Sequence, residues 1–352
     1  MSNTKKSLTL LSELGEFGLI EHLTSNLPTY HKSTIKGIGD DAAVLDYGDK
    51  YLVMTTDMLM EGIHFDLVYT PMKHLGYKAA VVNFSDVYAM NAHPRQLLVS
   101  FAISKKFSLE ALDEFYSGLR LACERYGVDL VGGDTSSSLT GLAISITAVG
   151  EVDKDKITYR SSAKENDLIC VTGDLGAAYL GLQVLEREKK IYTESVGSQP
   201  KLDEYDYILQ RQLKPETQKD IIDFFEKNNI VPTAMIDISD GLSSELLHIC
   251  KQSEKGCSIY QQKIPIADQT IKVAQEFHLE PMICALNGGE DYELLFTLPL
   301  EKYDIILARN DVSIIGHITD QHAGCNLVTE LGQQIPLLAQ GWNAYKGEDN
   351  NN

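Results

Sequence analysis

The chain has 352 residues, 43% of them hydrophobic and 23% charged, a balance typical of a globular protein of about two domains. Its 50 acidic residues against 31 basic ones give a formal charge of −19, which argues against nucleic acid or an anionic membrane as partner. No apolar run approaches the ~20 residues of a membrane helix, and Ser12 and Glu13 break the N-terminal apolar patch too early for a signal peptide.

In chain order, residues 10–23 carry apolar side chains near helical spacing and are predicted helical, as are residues 74–90 and 109–126. Residues 51–56, 97–103, 142–149 and 168–172 are rich in Val, Ile, Leu and Thr, stop at Gly, Asp or Ser, and are predicted strands. Mixed strands and helices indicate an α/β (α+β) architecture. The polar stretch at 160–167 suggests a boundary, which gives domains at 1–160 and 161–345. Residues 189–205 read as an exposed loop or insertion, and the tail 346–352 as disordered. The six cysteines are scattered without a C-x-x-C pair or a zinc-like spacing to histidine. They read as reduced thiols, so a cytoplasmic location is expected.

The chemistry lies in short acidic motifs. No G-x-x-x-x-G-K-[ST] occurs, so a P-loop is excluded. Gly37 to Ala42 matches the dinucleotide pattern G-x-G-x-x-A. Asp40 and Asp41, however, occupy the turn where a pyrophosphate would sit and would repel it. These aspartates either hold a cation or form a plain Gly-Asp turn. Asp57 follows Thr55 and Thr56 at an expected strand end, where oxygen ligands suit Mg²⁺ and a polar strand exit is the ordinary alternative.

Asp86 lies in a segment apolar almost all round (KAAVVNFSDVYAM), which predicts a buried helix. A buried carboxylate requires a partner, either a metal ion or one of Lys78 and Arg95. Gly132, Gly133 and Asp134 follow another apolar run. They fit close approach to phosphate and its metal, or else a Gly-rich turn leading to a helix cap. In MIDISDGLSS, Ser239 or Asp240 reads as a helix N-cap. Asp237 is not explained by capping, and in a strand it would share a face with Ser239. Glu290, Asp291 and Glu293 crowd a strand-like apolar context after two glycines.

The motifs GIGDDAAVL, TTDMLMEGIHF, KAAVVNFSDVYAM, GGDTSSS, VTGDLGAA, IDISDGLSSEL, NGGEDYELLF and a terminal GWNAY occur in this order. Together they resemble the thiamine-monophosphate kinase family, within the aminoimidazole ribonucleotide synthetase-like superfamily, from about residue 10 to 345. The resemblance implies a two-domain α/β fold whose N-terminal sheets pair across a homodimer. It also implies transfer of the ATP γ-phosphoryl to thiamine monophosphate, with several Mg²⁺ ions. Carried onto this chain, it implies metal ligation by Asp41, Thr55, Thr56, Asp57, Asp86, Asp134, Asp237 and Asp240. ATP contacts would come from Tyr126, Gly133, Asp134, Arg160 and Ser239, and substrate contacts from His64, Glu290 and Trp342. Another ATP-dependent member of the superfamily and a non-catalytic nucleotide-binding protein are the alternatives. A selenophosphate synthetase would call for a cysteine near the N-terminus, and the first here is Cys123.

A phosphate monoester is already an anionic nucleophile at neutral pH, with a second pKa near ~6, so no general base is needed. The obstacle is repulsion between two anions. A chain at −19 cannot offset it without bound cations, and direct transfer without a phosphoenzyme is expected.

Overall fold

The computed structural model describes residues 11–194 and 199–339. The chain opens with α1 (Leu11–Thr24), β1 (Thr34–Lys36), β2 (Ala43–Asp46), β3 (Lys50–Met60), α2 (Met72–Ala89), β4 (His93–Ile103), α3 (Leu109–Tyr126), β5 (Asp129–Ser137) and β6 (Ala143–Asp153). The six strands form one sheet in the order β1-β2-β3-β6-β4-β5, antiparallel except for the parallel pair β4–β5. There follow β7 (Leu168–Thr172), α4 (Ala177–Glu194), α5 (Asp206–Leu213), α6 (Lys219–Lys227), β8 (Ala234–Asp237), α7 (Leu242–Ser253) and β9 (Gly256–Tyr260). The described chain ends with α8 (Asp268–Glu276), α9 (Pro281–Asn287), β10 (Leu294–Leu298), α10 (Tyr303–Leu307), β11 (Val312–Thr319), β12 (Cys325–Val328) and β13 (Gln334–Pro336). These later strands make a second sheet in the order β13-β12-β9-β11-β7-β10-β8.

The two sheets face each other across α2. This helix packs on β3, β4 and β6 on one side and on β8 on the other. That position accounts for its apolar composition: 14 of its residues are buried, so no face is left for polar side chains without partners. One hydrophobic core continues from the first sheet through α2 and α3 onto Leu168, Cys170, Met235 and Phe296 of the second sheet. A separate core covers the sheet's other face, with Ile169, Val171, Ile236 and Leu295. The alternation along β7 explains its unbroken apolar run, since both faces are covered.

α2 and α3 cross at two glycines. A Cβ on Gly76 would lie 2.0 Å from the Phe115 carbonyl oxygen, and one on Gly118 would lie 1.8 Å from that of Lys73.

Several local expectations are corrected. β3 does not stop at Asp57 but runs on to Met60, because residues 50–60 pair without interruption with β6. The GGD segment is neither a turn nor a helix cap; it lies inside the edge strand β5. Residues 189–194 extend α4 rather than opening a loop. The N-cap of α7 is Gly241, at φ 111°, not Ser239 or Asp240. β8 ends at Asp237, so Ser239 lies beyond the strand and shares no strand face with it. Glu290, Asp291 and Glu293 precede β10 in a loop where Glu290 (φ 58°) and Tyr292 (φ 52°) take left-handed conformations. No described helix is long and apolar enough to cross a membrane.

Candidate phosphoryl-transfer site

α2 carries polar side chains toward both sheets. On the first-sheet side, the Thr55 hydroxyl of β3 donates to Asp86 Oδ2 at 2.6 Å, and the Asp57 backbone N–H donates to Asn83 Oδ1 at 3.1 Å. On the second-sheet side, the Ser85 hydroxyl donates to Asp237 Oδ2 at 2.7 Å. Asp86 therefore pairs with neither Lys78 nor Arg95. Lys78 meets Glu290 at 3.1 Å, and Arg95 meets Glu151 at 3.0 Å. Asp41 completes the group from the loop before β2, and carboxylate oxygens of Asp41, Asp86 and Asp237 lie within 4.8 Å of one another.

Arg160, between the sheets in sequence, grips Asp41 with two bonds, Nε to Oδ2 at 3.0 Å and an Nη to Oδ1 at 2.7 Å. Its backbone N–H also donates to Asp40 Oδ1 at 3.1 Å. Asp40 Oδ2 is buried without a hydrogen-bond partner, though Lys36 lies 3.7 Å from it.

Burial dominates the electrostatics. It raises Asp57 to about 6. Burial, then the neighbouring Asp41, raises Asp237 to about 7, against the Ser85 hydrogen bond and Arg160. Burial and then Asp57, Asp237 and Asp41 push Asp86 well above the carboxylate range. Burial and Asp41 raise Asp40 to about 6, against Arg160. Such a set resists ionisation unless positive charge enters. The donors are hard carboxylate and hydroxyl oxygens converging from separate elements, which fits Mg²⁺ and not a thiophilic metal. Thus the group tests favourably as a cation site on its own chemistry.

The remaining expected residues fall elsewhere. Strand alternation puts Thr55 and Asp57 on the face toward α2 and Thr56 on the other. There the Thr56 hydroxyl donates to the Ile146 carbonyl oxygen at 3.0 Å. Asp134 pairs in register with Ser100, which pairs with Ser145, itself opposite Met58, so Asp134 stands on the Thr56 face. Gly133 has a packing reason to be glycine: a Cβ there would lie 1.7 Å from the Val99 carbonyl oxygen. Tyr126 is buried against Phe84 and Tyr88, with its hydroxyl donating to Glu216 at 2.7 Å, and is not brought to the acid cluster. His64 sits on the exposed turn after β3, its Nδ1 accepting from the Met60 N–H at 3.0 Å. Trp342 lies outside the described residues.

The two later motifs interlock. Glu290 N–H donates to the Ser239 carbonyl at 2.7 Å, and Tyr292 N–H to that of Ile238 at 2.9 Å. Gly289, at φ 72°, permits the contact, since a Cβ there would lie 2.5 Å from Ser239 O. Asp240 N–H donates to Glu245 Oε1 at 2.8 Å. Glu290 is held by Lys78 and by Gln212 Nε2 at 2.7 Å. Sequence reasoning missed Asn83, Ser85 and Glu245. The first two carry the same signal as Asp86, a polar residue inside an all-round apolar helix.

Residues 39–152 match the family model for the N-terminal domain of AIR synthase related proteins. The chain is 34% identical over 310 residues to the thiamine-monophosphate kinase of Aquifex aeolicus, covering 88% of this chain and 93% of that one. It is also 34% identical to that of Bacillus subtilis, over 95% and 100% respectively. The solved structure described as AaThiL complexed with AMPPCP and TMP superposes with a TM-score of 0.81 at 32% identity, covering 97% of this chain and all of that one. With likeness of this extent joined to a buried carboxylate cluster between two sheets, the chain belongs to the thiamine-monophosphate kinase family.

Proposed function

We propose that this chain transfers the γ-phosphoryl group of ATP directly to thiamine monophosphate, giving thiamine diphosphate and ADP. The observation that carries the reading is the convergence of Asp41, Asp86 and Asp237. It supplies what an acidic protein needs in order to join two anions, and relatives at 34% identity carry the kinase name.

Magnesium ions, when bound, would neutralise these carboxylates and the phosphate oxygens of both substrates. Asp41, Thr55, Asp57, Asp86 and Asp237 would hold them on the α2 side, with Asp240 at the following loop and Thr56 and Asp134 on the opposite sheet face. Arg160 is stored on Asp41 and would turn to the ATP phosphates once Asp41 takes a cation. Gly133, Asp134 and Ser239 would contact ATP, whereas Tyr126 is buried with its hydroxyl committed to Glu216. His64, whose Nδ1 accepts from the Met60 N–H, would meet the acceptor phosphate through Nε2. Glu290 and the Trp342 ring suit the cationic thiazolium of the acceptor, through charge and stacking. No residue has to remove a proton, because the attacking oxygen is already anionic.

The same reading keeps one domain per sheet, at 1–160 and 161–345, in a cytoplasmic protein. It pairs two copies through the outer face of the first sheet. Met54, Met58, Met60 and Leu98 are exposed there, on a face that no helix of the described residues covers.

Phosphorus NMR of the protein with ATP, Mg²⁺ and thiamine monophosphate tests the reaction. Two new diphosphate resonances of thiamine diphosphate are expected. Their absence, or stoichiometric labelling of the protein by γ-labelled ATP, would overturn it.

A further inference from the structure

The second sheet gathers a group of side chains that phosphoryl transfer does not use. Cys250 in the last turn of α7, Cys257 in β9 and Cys325 at the start of β12 place their sulfur atoms within 4.8 Å of one another. The topology brings them together from separate elements. α7 closes on Glu254 in the left-handed conformation (φ 54°), and the chain turns back into β9. β9 then pairs in parallel with β12, with Cys257 directly opposite Cys325. A Cβ on Gly256 would lie 2.4 Å from the Gly324 carbonyl oxygen, so glycine permits this close approach.

Cys250 and Cys257 are buried in the second core, whereas Cys325 is only half-buried and gives the group an open side. Among the described residues no histidine or carboxylate joins the group.

We propose that Cys250, Cys257 and Cys325 form a three-thiolate site for a thiophilic divalent cation of the zinc class, with a fourth position open on the Cys325 side. Soft sulfur donors select Zn²⁺ or Cu⁺ over the Mg²⁺ that suits the aspartate cluster. A divalent ion with three thiolates leaves one net negative charge in an apolar surrounding. A monovalent ion leaves two, which burial disfavours more. Zn–S bonds of ~2.3 Å put tetrahedral sulfurs roughly 3.8 Å apart, so binding needs contraction of at most about an ångström. Three metal–sulfur bonds form, each thiol proton passes to solvent, and no oxidation state changes.

Cobalt(II) titration of the full chain, with a phosphine reductant and excess Mg²⁺ to fill the aspartate site, tests the assignment. One cobalt per chain is expected, with a near-ultraviolet thiolate-to-cobalt charge-transfer band and tetrahedral absorption in the red, both displaced by Zn²⁺. Cys325→Ser should lose the charge-transfer band while keeping the wild-type melting temperature in metal-free buffer and Mg²⁺-dependent turnover. Cys123→Ser should keep the band. A titration without the band, or a band undiminished in Cys325→Ser, overturns the site. Because the readout is spectroscopic, it does not depend on which phosphoryl acceptor the enzyme uses.

Discussion

At the scale of residues, the decisive feature is a set of carboxyls largely withdrawn from water, Asp41 and Asp237 buried and Asp57 and Asp86 partly so. Asp57, raised to about 6 by burial, gains from being neutral when no cation is present. Asp57→Asn should therefore fold as well as the wild type in metal-free buffer. It should lose roughly a thousandfold in turnover, about 4 kcal/mol of transition-state stabilisation. Circular-dichroism melting beside an ADP-release assay measures both, and normal activity would remove Asp57 from the cation set. Asp291 shows the same physics outside that set. It is buried, accepts from Gly176 N–H at 2.9 Å, and is raised to about 7, first by burial and against Arg211. Its raised value means that the folded state holds the proton more tightly than the unfolded one. The stability it contributes is thus complete below about pH 4 and lost as pH rises through about 7. The stability of wild type relative to Asp291→Asn, from urea midpoints, should fall over that window. A difference that is constant with pH would refute the assignment.

Among elements, α2 is the one on which the site depends. Packed between sheets, it can place Asp86 toward β3 and Ser85 toward β8 only because adjacent helical positions point about 100° apart. Its seat against α3 rests on Gly76 and Gly118. Gly76→Ala drives a methyl group into the Phe115 carbonyl and should cost about 1–3 kcal/mol by overpacking, read as a lower urea midpoint. Turnover per folded molecule should fall as well, because the shift is transmitted to Asn83, Ser85 and Asp86. An unchanged midpoint would show that α3 yields freely. The helix's burial was legible from its composition. Its sandwiching was not, since an all-round apolar helix reads the same whether helices or sheets surround it.

For the whole molecule, the described residues cover one face of the first sheet and leave the other uncovered. Met54, Met58, Met60 and Leu98 lie on the uncovered one, together with Thr56 and, by register, Asp134. Pairing with a second copy would bury them. Met58→Lys should accordingly shift sedimentation toward a monomer and lower activity at dilute protein concentration. A wild-type chain that sediments as a monomer would remove this surface as the dimer interface. The acidic motifs were each visible in the sequence, as was the approximate extent of α3 and β7. The division of the threonine-aspartate run between two sheet faces was also implicit in strand alternation. It became definite only once β3 was seen to continue through Asp57.

Composition and motif order were enough to determine an acidic α/β chain with recurrent carboxylates, no P-loop and a family likeness, because these depend on residue identity and local spacing alone. Which acids meet was decided by the tertiary structure. Asp41, Asp86 and Asp237 are 45 or more positions apart in the chain and converge only because α2 lies between two sheets. The cysteines carry the same lesson. Read along the chain they are scattered, yet parallel pairing of β9 with β12 beside the end of α7 puts three sulfurs together. Linear spacing carries no information about contacts that a sheet's strand order creates.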